Sequence, residues 1–399
     1  MGRATAQRTP FDGAFRAIAC AAFETVDGWE TASDFGDPVA EHRAVRDGCG
    51  VWDASPLRKW DVRGPGAAVA VERFFTNEMG TLQPGQLRYG AFCDDDGMML
   101  GDGIAFRFAE QEFGLVTRLE TDGEAFAEAA GDAEYELRDV TADSPHLQLQ
   151  GPDSRAVLET LARSDLSGLR YYRFLPEPVL VGGVPVSIAR CGYTGELGYE
   201  LYTPAEEAGA LWEFLLRAGR DFGLRPYGVT AMHSLRLEKA FPLYGNDISE
   251  DYTPFHVGLD RWIRFDKRDF IGREALLRVQ ERGIDRRWVG LVLSGEVPAA
   301  GNARVWSIGQ VATAEERAFS GPEAGASKDK AQPGAEVGHV TYSARGHTVG
   351  KLLAMAYVQV AHAYPGSRLL VEIGDRMLPA TVAPTPFFDP QGARLRAKA

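Results

Sequence analysis

The sequence is short of cysteine, of excess positive charge and of long apolar runs. Four cysteines, at 20, 49, 93 and 191, stand among 399 residues. None forms a Cys-x-x-Cys pair, so neither a disulfide framework nor a thiolate zinc site is expected. That usage points to a reducing compartment, the cytoplasm. Lys and Arg number 43 against 56 Asp and Glu, a net charge of −13. Without a basic face or a Lys/Arg block, nucleic acid and anionic membranes are not expected partners. No apolar run reaches the ~18 residues of a membrane-spanning helix. The opening stretch, MGRATAQRTPFDGAF, lacks the apolar core of a signal peptide. Dinucleotide, phosphate-loop and serine-elbow fingerprints are also missing. Gly64-Pro65-Gly66 runs into Ala67 without a third glycine, so no flavin site is expected. His339 and His347 have no carboxylate at ligand spacing and read as two exposed histidines, so no metal is expected.

What is abundant is glycine, 45 residues, clustered with Asp, Asn and Pro between short apolar runs. This pattern predicts many turns and much antiparallel sheet. A short helix is expected over 38–50, then β patterning over 51–62 and a helix from Ala67. Three apolar runs beginning at Leu87, Met98 and Phe113 read as a β-meander. A surface helix follows over 124–133. Leu147–Gly151 reads as a strand leading into a helix that opens at Pro152. Two strands lie over 184–202, joined through GYTGELG, and helices are expected over 205–219 and 227–240. Beyond a boundary near 280–287 the chain reads as β. Within that part, 312–336 has almost no large apolar residue and is expected to be a mobile loop, dispensable for folding and activity.

Four constellations could carry chemistry. Asp102 lies between two glycines inside an apolar run, where partial desolvation would raise its pKa and suit it to proton transfer. The competing reading is a Gly-Asp-Gly turn. Arg190–Glu200 packs two glutamates, two tyrosines and three glycines into eleven residues. A carboxylate there can accept two N–H donors from the amidine-like edge of a planar heterocycle, with tyrosines as flat walls. Ser234–Asp247 carries core leucines and an Arg236/Glu238 pair readable as a surface pair. Trp262, among Arg261, Arg264, Lys267 and Arg268, makes a basic, aromatic patch suited to an anionic tail, or simply a solvated strand edge.

Taken together, these stretches resemble the aminomethyltransferase (glycine-cleavage T-protein) family of tetrahydrofolate-dependent proteins. The resemblance rests on VWDAS (51–55), FFTNEMG (74–80), PGQLRY (84–89), LQGPDS (149–154), CGYTGELGYEL (191–201), SLRLEKAFPLYGNDI (234–248), TPFHVGLDRWI (253–263) and TVGKLLAMAYV (348–358), in family order over nearly the whole chain. It implies an α+β, three-lobed cloverleaf around a central folate channel, closed by a C-terminal β-barrel or jelly roll. The folate-binding region would span 1–282, with a second lobe at about 60–140 inserted in the first, and the barrel 283–399. By the same resemblance, Tyr89, Asp102, Tyr193 and Glu200 would form the folate site, and Trp262, with its basic neighbours, would be a further cofactor-binding residue for the anionic tail. Glu200 would grip the pterin, and Asp102 and Tyr193 would be catalytic.

The sequence also departs from the family pattern. Gly101-Asp102 replaces a paired Asp-Asp, and Met232-His233 replaces an Arg-Asp. Arg118 replaces an Asn, Pro56 a His and His256 a Glu. Arg118, Met232 and His256 would therefore line a rebuilt wall facing the one-carbon donor. The reading is a folate-dependent methyltransferase or demethylase acting on a small O-, S- or N-methylated substrate, with a separate oxidoreductase or carrier protein as a possible partner. The alternatives are a glycine-cleavage aminomethyltransferase working with a lipoyl carrier protein, a non-catalytic folate-binding protein, and a transferase that has lost folate.

Overall fold

The computed structural model describes residues 6–18, 20–309 and 332–397. Among these residues the chain is mixed α+β, with three open sheets and one closed barrel. A small N-terminal sheet is made by Gln7–Arg8, Trp29–Asp34 and Ala22–Val26.

The β patterning of 51–62 belongs to two different sheets. Gly50–Asp53 joins a six-stranded sheet with Val179–Val181, Val184–Ala189, Gly198–Tyr202, His146–Gln150 and Arg225–Pro226. Arg58–Arg63 lies in a five-stranded sheet with Gln86–Cys93, Met99–Ala109, Glu112–Thr117 and Glu136–Asp139. Residues 54–57 turn the chain from one to the other. The chain returns through His146–Gln150, which pairs antiparallel with Gly50–Asp53. Everything between those two neighbouring strands is therefore an excursion that buries its own core. Phe74, Phe75, Phe92, Phe113 and Phe126 fill that core against helices Ala67–Phe74 and Asp122–Ala130.

The six-stranded sheet packs on helices Ser154–Ala162 and Ala208–Ala218 through Leu147, Leu149, Val157, Leu211 and Trp212. Its other face carries His146, Gln148 and Gln150, because side chains alternate along a strand. That polar face is buried, since it looks toward the meander sheet.

The C-terminal part is a closed barrel in the order Arg286–Leu293, Lys351–Gln359, Pro333–Gly346, Arg304–Ile308, Arg368–Ile373 and Arg376–Ala383. Closure leaves no sheet edge exposed. The loop expected over 312–336 lies largely outside the described residues. Its last part is corrected, because Pro333 onward is strand, with Trp306 opposite Glu336. Among the described residues no helix is long and apolar enough to cross a membrane.

Candidate active site

Asp102 sits in the middle of strand Met99–Ala109, opposite Ala91 on Gln86–Cys93. It is a strand residue, not the centre of a Gly-Asp-Gly turn. The flanking glycines have a packing reason. A Cβ at Gly101 would lie 2.5 Å from the Phe92 ring, and one at Gly103 would lie 2.7 Å from the Val116 carbonyl oxygen. Tyr89 lies on the same face, and its hydroxyl donates to Asp102 Oδ2 at 2.9 Å. Burial raises the Asp102 carboxyl to about 6, while the Tyr89 hydrogen bond and the Arg118 charge pull the other way. Trp262, on the turn Asp260–Trp262, packs edge-on against Tyr89 with ring centroids 5.9 Å apart. The fold thus brings Trp262 to Tyr89 and Asp102, which face each other across one hairpin.

Glu200 occupies strand Gly198–Tyr202 opposite Gln148. Both carboxylate oxygens are engaged: Gln148 Nε2 donates to Oε1 at 3.0 Å and the Tyr202 hydroxyl to Oε2 at 2.6 Å. Burial raises the Glu200 carboxyl, and the hydrogen bonds from Tyr202, Cys191 and Gln148 and the charge of Lys59 oppose it. Gln148 also ties Glu200 to the loop 192–198 before its strand, because the Tyr193 backbone N–H donates to its Oε1 at 3.3 Å. The loop itself closes around the next polar residue of the Gln148 strand. The Gln150 side chain fills the space where Cβ atoms on Gly192 and Gly198 would sit, at 2.1 and 2.3 Å. A side chain at either glycine would have to displace the Gln150 amide, which donates to the Cys191 carbonyl oxygen at 3.1 Å and accepts the Thr194 hydroxyl at 2.8 Å.

Tyr193 presents its ring beside Phe241 and spends its hydroxyl on the Pro242 carbonyl oxygen at 2.5 Å. Burial raises its pKa, so the phenol stays protonated. Its geometry is that of a wall. Met232 is buried in a cluster with Val45, Tyr227 and Leu235, against which Tyr193 and Trp52 pack. Arg118 Nε reaches Asp27 Oδ2 at 2.9 Å in the N-terminal hairpin. His256 faces elsewhere. Its Nδ1 lies 2.8 Å from Thr253 Oγ1 and caps the short helix Pro254–Val257, while Nε2 lies 3.5 Å from Asp285.

The basic patch around Trp262 is smaller than the sequence suggests. Lys267 turns inward and donates to the carbonyl oxygens of Phe75 and Asn77 at 2.7 and 3.0 Å. Arg236 and Glu238 are not a surface pair; both are fully buried. Arg236 pairs with Asp247, and Glu238 takes Arg46 at 3.1 Å. His339 and His347 are not exposed either: the first stacks toward Tyr252 and the second lies 5.2 Å from the His42 ring. Among the described residues no group of three His, Cys, Asp or Glu is arranged to hold a metal ion.

The comparisons with known proteins bear on this constellation. The family model "GCVT N-terminal domain" matches residues 16–267, and "Glycine cleavage T-protein C-terminal barrel domain" matches 286–389. The chain belongs to the glycine-cleavage T-protein family. It is 37% identical over 394 residues to an aminomethyltransferase of Streptomyces coelicolor, covering 96% of this chain and 98% of that one. It is 33% identical over 364 residues to an aminomethyltransferase of Halothermothrix orenii, covering 90% and 94%. The crystal structure of glycine cleavage system aminomethyltransferase T from Bartonella henselae superposes with a TM-score of 0.82 at 27% identity, over 96% of this chain and 98% of that one. As a member of this family the chain is an enzyme, a tetrahydrofolate-dependent transferase.

For a T-protein family member, several residues near the site carry no obvious sequence signal. Tyr202 and Gln148 hold Glu200, and only the buried strand HLQLQ, polar at alternate positions, marks Gln148 in advance. Lys59 is buried, donates to the Ser55 carbonyl oxygen at 2.7 Å and makes no ion pair among the described residues. Burial lowers its amine to about 7, against the pull of Asp53 and Glu200. It lines a cavity of about 110 Å³ between the two sheets, with Phe106, Phe108, Phe174 and Tyr202. Tyr172 holds a left-handed backbone, φ 62°, beside Tyr171. A non-glycine residue in that region costs of order 1 kcal/mol and persists only where its surroundings enforce it.

Proposed function

We propose that this chain transfers an aminomethyl carbon from a lipoyl-bearing carrier protein to tetrahydrofolate, with release of ammonia. The reading rests on similarity along nearly the full length to proteins named as aminomethyltransferases. Within the site it rests on one observation: a tyrosine hydroxyl donating to a desolvated aspartate, Tyr89 to Asp102 at 2.9 Å.

The residues present fit a folate. A pterin needs a carboxylate facing its amino-pyrimidine edge and flat apolar walls. Glu200 is that carboxylate, buried and steadied from two sides by Gln148 and Tyr202. Tyr193 and Tyr89 supply the walls. When bound, tetrahydrofolate supplies the ring nitrogens that accept the carbon. The protein's own part is placement and proton handling. Holding donor and acceptor in line supplies much of the barrier reduction. The departing thiol and ammonia must take up protons, and Asp102, at about 6, can carry one near neutral pH. Tyr89 fixes the carboxylate orientation.

A second reading, transfer of a methyl group from a small O-, S- or N-methylated compound, rests on the departures from the family pattern at Arg118 and Met232. Methylene-tetrahydrofolate formation from a lipoyl carrier loaded with an aminomethyl group tests the first reading. Parallel assays with a panel of methylated compounds test the second. Turnover with the carrier supports the proposal; turnover with the panel alone replaces it with the second reading. If no assay gives turnover, calorimetry with tetrahydrofolate decides whether folate is bound at all.

A further inference from the structure

The loop 192–198 is gripped from outside the folate-facing sheets by the last described residues of the chain. After the barrel, the backbone N–H of Phe388 donates to the Glu238 carbonyl oxygen at 3.0 Å. The Phe388 ring lies beneath three cations, with Arg46, Lys239 and Arg394 at 4.6, 5.9 and 5.5 Å from its centroid. Asp389 then makes a local clamp. Its carboxylate accepts the backbone N–H groups of Ala393 and Arg394 at 2.9 and 3.1 Å and takes Lys239 Nζ at 3.3 Å. This turn aims Arg394 at the loop, where Nε reaches Glu196 Oε2 at 2.7 Å. Its guanidinium also donates to the Arg46 carbonyl oxygen. Further on, Arg190 Nη2, just before the loop, donates to the Ala397 carbonyl oxygen at 2.5 Å.

Glu196 is the loop's anchor. It is 1% exposed and held on its other oxygen by Arg46 Nη1 at 2.8 Å, a guanidinium that also takes the Thr194 carbonyl oxygen at 2.8 Å. Lys239 passes so close beneath Gly195 that a Cβ there would lie 2.4 Å from it. The loop is therefore pinned between helix Pro38–Asp47, helix Val229–Glu238 and the C-terminal segment. Tyr193 precedes Glu196 in this loop, and Glu200 follows it in the middle of the next strand. The family's barrel model ends at residue 389, so Arg394 and the carbonyl that meets Arg190 lie beyond the part of the chain that the family pattern covers.

We propose that Phe388–Ala397 acts as a strap that holds loop 192–198 in its folate-binding form, with Arg394 as the positioning residue. Arg394 touches no reacting group and acts through Glu196. The proposal rests on the reading that Tyr193 and Glu200 face folate. Its consequence is a split between binding and chemistry. Arg394→Ala should raise the dissociation constant and KM for tetrahydrofolate about tenfold, the scale of one charge-assisted contact. The kcat at saturating folate should stay close to the parent value, because Tyr89 and Asp102 are untouched. Arg394→Lys, which keeps the cation, should recover most of the affinity.

Hydrogen exchange provides a readout independent of folate. Amides of 192–198 should exchange faster in Arg394→Ala than in the parent, while barrel amides such as those of 352–358 stay protected. If folded Arg394→Ala binds tetrahydrofolate as the parent does and the loop exchanges at the parent rate, the strap has no positioning role. Should Arg394→Ala fail to fold, Arg394→Lys and Arg394→Gln compared by the same exchange experiment decide the matter: equal protection of the loop in both overturns the proposal. If the parent binds no folate, the functional reading fails, and the exchange result still judges the strap.

Discussion

Replacing Asp102 with asparagine should make the protein more stable and less active, and the two effects come from one cause. The Asp102 carboxyl is raised from 3.8 to about 6 chiefly by burial. Above its ordinary pKa the unfolded chain holds this group ionised at no penalty, while the folded chain must hold the charge in a poorly solvated strand. The folded state therefore binds more protons between pH ~4 and ~6, and stability is lost as pH rises through that window. Two pKa units at 1.36 kcal/mol each set an upper bound of about 3 kcal/mol. Asp102 is only half-buried, so solvent screening brings the realistic cost to about 1–2 kcal/mol. Asparagine removes the charge and keeps an oxygen to accept the Tyr89 hydroxyl. At pH 8 Asp102→Asn should gain a few degrees in Tm, and at pH 3, where the carboxyl is protonated in the folded and the unfolded chain alike, almost none. Turnover should fall roughly 10²–10⁴-fold, the range for loss of a general acid or base. Thermal melts of both proteins at the two pH values, with initial rates at pH 7.5, provide the measurement. A gain in Tm that is the same at both pH values would refute the desolvation argument. Full activity would remove Asp102 from proton transfer and leave it a purely structural strand residue.

Glu200→Gln should weaken tetrahydrofolate binding by about 1.5–3 kcal/mol, because a charge-assisted contact becomes a neutral one; unchanged affinity by calorimetry would reject Glu200 as the pterin partner. Lys59 is lowered from 10.5 to about 7, so the folded state binds fewer protons than the unfolded one above pH ~7. Stability should rise with pH from there by up to ~1.4 kcal/mol per unit. Lys59→Met should lack that slope, and parallel pH profiles in denaturant melts would show the amine to be charged throughout. His256→Ala should cost about 0.5–2 kcal/mol of stability, as for other lost helix caps, and leave kcat unchanged. A changed kcat with unchanged stability would return His256 to the donor wall.

How much of this was legible in advance depended on the range of the interaction involved. The β-meander, the strand before Pro152 and the helix over 229–238 follow from local apolar period and turn residues. The family motifs needed only their order along the chain, and they pointed to Tyr89, Asp102, Tyr193 and Glu200 as the candidate folate residues. Two further features required the fold. Residues 51–62 read as continuous β pattern, but local pattern cannot say that 54–57 pass from one sheet to another. Arg236 and Glu238 look like a surface pair because a sequence shows spacing and not burial; their partners Asp247 and Arg46 come from other elements. His256 illustrates the reverse, since Thr253 is close enough in sequence to claim it as a cap.

The sequence by itself determined the family and, through it, the α+β class, because the family motifs are carried by residue type and by their order along the chain. Tertiary structure alone decided which groups are desolvated and which charges meet. Asp102 is raised because the meander buries it beside Tyr89, and Glu200 is steadied because Gln148 lies opposite it on a neighbouring strand. Arg394 reaches Glu196 because the chain closes a barrel before coming back. A desolvation penalty and an ion pair between distant residues depend on three-dimensional distance, which no local pattern encodes.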